Sequence, residues 1–91
     1  LDVTKNTVLT ELDCSENQLT NLITKNTALT DLNCTKNQLS SLDVSNNTAL
    51  TELQCNSNQL RSLNVSNNKV LEELWCDDNV TIIGKANTKL Q

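Results

Sequence analysis

Leu32 to Glu52 reads LNCTKNQLSSLDVSNNTALTE, one complete copy of a unit that recurs along the 91-residue chain. Laid over its neighbours, the unit puts Leu12, Leu32, Leu53 and Leu74 in one column. Cys14, Cys34, Cys55 and Cys76 follow two residues on, and Asn17, Asn37, Asn58 and Asn79 three further. The steps between copies are 20, 21 and 21 residues. A fixed period of this length is the signature of a solenoid, in which each coil is too thin to bury its own apolar side chains and is stabilised by the next coil stacking on it.

Each unit divides into two half-turns, L-x-C-x-x-N-x-L-x-x and L-x-V-x-x-N-x-x-L-x-x. In both, apolar residues alternate over a stretch long enough for a strand of about three residues with one face buried. The Asn that follows (Asn17, Asn37, Asn58 and Asn79 in one half, Asn6, Asn26, Asn47 and Asn68 in the other) falls where the chain must turn. The chain has no Pro and only Gly84, so Asn is expected to make the turns, by tolerating left-handed backbone and by bonding backbone groups of its own or the next coil. Leu19, Leu39 and Leu60 form one inner column, and Leu9, Leu29, Leu50 and Leu71 another. The expected fold is mainly β: a solenoid of about four coils of 20–21 residues, with two narrow parallel sheets of short strands and Asn-rich turns.

The pattern resembles the leucine-rich repeat family, whose signature L-x-x-L-x-[LC]-x-x-N-x-L is matched at Leu9–Leu19, Leu29–Leu39 and Leu50–Leu60. It is most similar to the short bacterial 21-residue class sometimes called IRREKO, in which a second L-x-x-L-D-[LV]-x-x-N half follows, as in LSSLDVSNN from Leu39. The resemblance implies a solenoid that binds other macromolecules, as part of a surface or secreted bacterial protein. It also implies that the L-x-C half lines the concave, ligand-facing sheet. The second unit departs from the pattern, since Leu22, Ile23 and Asn26 are one residue closer together than their counterparts. The period also fails after Asn79, where VTIIGKANTKLQ reads as a last strand near Thr81–Ile83, a turn at Gly84 and a capping or exit segment over 80–91. The whole is expected to be one domain, with repeats over 1–79, and a fragment of a longer chain.

Charge is segregated. Nine of the eleven acids (Glu11, Asp13, Glu16, Asp31, Glu52, Glu72, Glu73, Asp77 and Asp78) lie on or beside the L-x-C half. The net charge of −4 disfavours nucleic acid, whose phosphates would be repelled. The longest apolar run near the end, Val80–Ile83, is too short to span a bilayer. The outward positions of the L-x-C strands form two columns: Glu11, Asp31, Glu52 and Glu73, suited to steering a basic partner, and Asp13, Asn33, Gln54 and Trp75, suited to direct contact. Trp75 is the only aromatic residue, and an outward Trp among polar residues has the profile of a binding anchor. The alternative is that the terminal segment covers it.

Four Cys in a short chain allow three disulfide pairings, but their period places them inward and in register on successive rungs. A spacing near ~4.8 Å exceeds the ~3.5–4.5 Å between Cβ atoms that a disulfide needs, so reduced thiols acting as small core residues are expected. A linear column cannot surround one Zn ion, and there is no His. No nucleophile elbow, phosphate loop or exposed reactive Cys is present, which argues against an enzyme and against a cofactor. Thr7, Thr27 and Thr48, and Thr10, Thr30 and Thr51, form rows that raise ice binding as a minor possibility against ordinary turn residues. Asn33-Cys34-Thr35, Asn46-Asn47-Thr48, Asn64-Val65-Ser66 and Asn79-Val80-Thr81 match a glycosylation acceptor, as chance allows in so Asn-rich a chain. The function expected is therefore a non-enzymatic module binding protein or another macromolecule. A self-assembly module that associates through the solenoid ends is the alternative.

Overall fold

A computed structural model describes residues 1–84 and the backbone of a strand at 89–90. The segments 85–88 and 91, part of the stretch expected to cap the chain, lie outside the described residues. Among the described residues there are seven short strands: β1 (Glu11–Asp13), β2 (Asp31–Asn33), β3 (Glu52–Gln54), β4 (Ser62–Asn64), β5 (Glu73–Trp75), β6 (Thr81–Ile83) and β7 (Lys89–Leu90). There is no helix among the described residues, and so none long and apolar enough to cross a membrane.

The L-x-C halves form a parallel five-stranded sheet in the order β1-β2-β3-β5-β7. Its register aligns Leu12, Leu32, Leu53 and Leu74, which turns the sequence period into a column of stacked side chains. The ladder continues into the Cys column: the Cys14, Cys34 and Cys55 amides donate to the Asn33, Gln54 and Trp75 carbonyls at 2.8–2.9 Å. Beneath it, Leu29, Leu39, Leu50 and Leu53 are fully buried, as are Leu63 and Val44 from the opposite wall. All four Cys are thiols outside any disulfide, Cys14, Cys34 and Cys55 buried and Cys76 half-buried.

The second sheet is less regular than the repeat suggests. Among the described residues, only β4 and β6 pair there, with an isolated bridge between Asp2 and Ile23. The middle segment 42–44 forms no ladder with either neighbour, although Leu42 and Val44 are buried. Where pairing is missing, shallow polar grooves open on both sides of this rung. One of about 330 Å³ runs past Ser41, Asp43, Arg61 and Asn64, and one of about 190 Å³ past Ile23, Lys25 and Asp43. Side-chain amides span the gap instead. Asn47 donates to the Thr24 and Asn26 carbonyls at 2.6 and 2.9 Å, and Asn68 to Val44 and Asn47 at 2.9 Å each.

The turns differ from expectation in an instructive way. Positive φ falls on Glu16, Lys36 and Ser57, the residue before each Asn, at 57–58°. The Asn itself is spared for inward hydrogen bonding. Asn37 donates to the carbonyls of Cys14, Cys34 and Thr35 and accepts the Leu19 amide, and Asn58 bonds the Cys34 carbonyl and the Leu39 amide in the same manner. Coil after coil, the amide therefore replaces backbone pairing where the chain turns away from the sheet.

Asn79 does not continue this ladder. It is exposed, in a turn closed by the Val80 amide on the Asp77 carbonyl. At the two earlier turns the amides of Glu16 and Lys36 donate to the Thr35 and Asn56 carbonyls, but at the third both carboxylate oxygens of Asp77 accept the Ser57 amide at 3.0 Å. The side chain substitutes for a carbonyl that the changed path removes. Beyond it, the chain completes a shortened coil, β6 on the second sheet and β7 on the first. Gly84 is required there: its φ is 82°, and a Cβ would stand 2.6 Å from Ser66 Cα.

The shortened second coil lacks a side-chain turn that other coils on this wall make. Asp2, Asp43 and Asn64 each accept the amide of the residue two on, Thr4, Ser45 and Ser66, forming a side-chain turn before the corner. Ile23 occupies that position in the second coil and has no such acceptor, and the spacing from Leu22 to Asn26 is one residue shorter there. Thr24 replaces the inward Val, and its hydroxyl donates to Asn47 Oδ1 at 3.3 Å. Where Val is kept, at Val3 and Val44, the corresponding oxygens of Asn26 and Asn68 are buried without a partner.

Candidate functional site

The outward side chains of the five-stranded sheet alternate with the buried Leu column, as period-two geometry requires. The register sets Glu11 beside Asp31, Asp31 beside Glu52 and Glu52 beside Glu73, and likewise Asp13, Asn33, Gln54 and Trp75. Between the two columns runs an open trough of about 350 Å³, lined by Glu11, Asp13, Asp31, Asn33, Glu52 and Gln54. Glu73 and Trp75 extend the same columns onto β5. The structure thus brings all eight residues onto one surface. Trp75 is half-buried there, between the two extremes the sequence left open.

Electrostatics distinguish the two columns. Asp13 is held below the ordinary carboxylate range, because it accepts the hydroxyl and then the amide of Ser15. Asn33 makes the same turn with Thr35, so its amide oxygen is engaged by its own coil. Glu52 is pushed up, first by the adjacent Asp31 carboxylate, then by burial and by Glu73. No three side chains able to hold a metal ion converge among the described residues.

These opposite shifts are expected to give stability a maximum on the acidic side of neutrality. Glu52 is raised above 4.5, so its contribution is fully present below that pH and is lost as pH rises through its folded value. Asp2, Asp13 and Asp43 are lowered below 3.8, so theirs is present above that pH and is lost as pH falls through their folded values. Urea midpoints measured from pH 7 down to 3 are expected to rise and then fall. In Glu52→Gln the rise is expected to shrink while the acid fall stays; an unchanged rise would show that Glu52 is not its source.

Several features were not anticipated. Thr30 and Thr51 hydroxyls donate to the Thr10 and Thr30 carbonyls of the preceding coil, so this row serves coil stacking and does not form a regular hydroxyl face. The recurring Asp/Asn-x-Ser/Thr pattern, visible at Asp2, Asp13, Asn33, Asp43 and Asn64, encodes turns, and two of the apparent glycosylation triplets belong to it. The capping carboxylate of Asp77 had no repeating signal that could have revealed it.

The fold and its inner row define a leucine-rich-repeat type of β-solenoid carrying stacked thiols. A solved structure similar to it is the functional domain of InlJ from Listeria monocytogenes, described as including a cysteine ladder. The TM-score is 0.81 at 33% identity, over 98% of this chain and 23% of that one. The chain therefore spans about a quarter of the length of the solved chain it matches. No protein-family model and no curated protein matches the sequence.

Proposed function

We propose that the chain is a non-enzymatic binding module of the short 21-residue repeat class, belonging to a bacterial surface or secreted protein and recognising a basic protein partner. The observation that carries this reading is the trough on the five-stranded sheet, whose lining gathers Glu11, Asp31 and Glu52 on one side and Asp13, Asn33 and Gln54 on the other. A rigid ladder of short strands holds these side chains at fixed spacing, so little conformational entropy is lost when a partner docks. The acidic column supplies long-range attraction, and Trp75, at the end of the neighbouring column, supplies a large, stiff contact. The trough's carboxylates lie in an open row on the sheet surface, a form suited to steering a partner.

The test is the association rate. With a bound partner in hand, Asp31→Lys combined with Glu52→Lys is expected to slow association about tenfold or more at low salt and to flatten its salt dependence. Asp2→Lys combined with Asp43→Lys, on the other face, is expected to leave it within about twofold. Equal effects from both pairs would mean that only net charge matters, and this face would lose its claim.

A further inference from the structure

The thiol column has a chemistry that neither a disulfide nor a tetrahedral metal site describes. Cys14, Cys34, Cys55 and Cys76 each follow in-register strands, and like-oriented side chains on adjacent rungs stand about 4.8 Å apart. A metal–thiolate bond is about 2.3 Å, so an ion bound by two opposed sulfurs needs them about 4.6 Å apart. That is the spacing the coils impose. Linear two-coordination by sulfur suits soft monovalent Cu(I), which thiolates select over harder ions.

The Cys55–Cys76 step is favoured over the other two. The Cys55 thiol is aimed at the next coil, its sulfur 3.4 Å from the Trp75 carbonyl that immediately precedes Cys76. Cys76 is half-buried and offers a route from solvent, whereas Cys34 is fully enclosed. Burial pushes the enclosed Cys34 and Cys55 thiols up against ionisation, so Cys55 gives up its proton only in exchange for a metal bond, and the site forms where its partner sulfur, that of Cys76, stays near water.

The geometry points to a two-coordinate Cu(I) site bridging the sulfurs of Cys55 and Cys76. On binding, two S–H bonds lose their protons to solvent and two Cu–S bonds form; copper stays monovalent and no electron is transferred. The bis-thiolate carries one negative charge, which the half-exposed Cys76 end keeps solvated.

The experiment is an anaerobic titration of the whole chain with Cu(I), supplied as its acetonitrile complex against a chromogenic chelator. One Cu(I) per chain, about two protons released, and an X-ray absorption signal of two sulfurs without a third are expected. Cys76→Ser, at the half-exposed position, is expected to weaken binding at least tenfold, and Cys14→Ser, at the far end, to leave it unchanged. Circular dichroism confirms that each variant is folded. Equal binding by wild type and Cys76→Ser, coordination by three sulfurs, or binding only in urea would each overturn the assignment. Should Cys76→Ser fail to fold, the sulfur count and proton release of the wild type decide the matter alone.

Discussion

Asn37→Ala is expected to lower the folding free energy by about 2–4 kcal/mol, although it removes a polar side chain from an otherwise apolar coil. Asn37 is 8% exposed and ties three stretches of backbone together. Its amide nitrogen reaches the carbonyls of Cys14 and Cys34 at 3.0 Å and of Thr35 at 3.2 Å, and its oxygen accepts the Leu19 amide at 3.0 Å. The Cys14 carbonyl retains a bond from Asn17 and the Cys34 carbonyl one from Asn58, so the loss there is partial. The Leu19 amide has no substitute acceptor, and an orphaned donor costs about 1–3 kcal/mol by itself. Asn17→Ala is the control, because exposed Asn17 bonds only the Cys14 and Ser15 carbonyls of its own coil, and it should cost under about 1 kcal/mol. Asn37→Asp keeps the shape but directs a carboxylate at carbonyl oxygens. It should be at least as destabilising at neutral pH and should recover partly as the carboxyl protonates. Urea unfolding with linear extrapolation measures all three, and equal losses for Asn17→Ala and Asn37→Ala would mean that the bonds between coils contribute nothing beyond those within a coil.

That experiment bears on how the fold could be read at all. The Leu and Cys columns were legible because burial imposes a side-chain identity at every turn of the coil, and the period displays it four times over, from Leu12 to Leu74. The outward columns followed from the same alternation, which is why Glu11, Asp31, Glu52 and Glu73 could be placed in one row without coordinates. The turns were less legible. Asn marks each corner, but which residue takes the left-handed conformation depends on competition for the amide. Once Asn37 is committed to four hydrogen bonds, the strained backbone passes to Lys36. Asn79 shows the limit of column reading. It matches the spacing yet lies outside the ladder, because the chain turns at 78–79 and Asp77 bonds the Ser57 amide by its side chain. A repeat dictates what its neighbours share, and the last full coil has a different neighbour.

The uneven second face follows from the same principle. The sheet that carries the trough is joined by backbone bonds at every step from β1 to β7. The opposite wall is joined at its two ends and bridged by Asn47 and Asn68 in its middle. A wall held by side-chain amides tolerates the one-residue deletion near Lys25, since an amide can reorient where a ladder would slip by a residue and turn every side chain to the wrong face. The regular wall carries the candidate recognition surface, and the irregular wall absorbs the variation in coil length.

Leu53→Ala is the second large effect, expected to cost about 2–5 kcal/mol. Leu53 is 0% exposed at the centre of the five-stranded sheet, in register with Leu32 on one side and Leu74 on the other. Truncating it opens a cavity against both neighbours at once, and stacked rungs paired by short ladders have little freedom to collapse into it. A chain of 91 residues has a total stability of about 5–14 kcal/mol, so the loss is a large part of the whole. Leu12→Ala should cost less, because Leu12 is only partly buried and stacks on Leu32 alone among the described residues. The manner of unfolding should change as well. In a linear array each coil is coupled only to its neighbours, so weakening both interfaces of the middle coil lets the coils on either side open separately. The dependence on urea should then flatten along with the fall in midpoint. A fall in midpoint with an unchanged slope would mean that the coils are coupled more strongly than one rung of leucines provides, leaving the amide ladders as the source of that coupling.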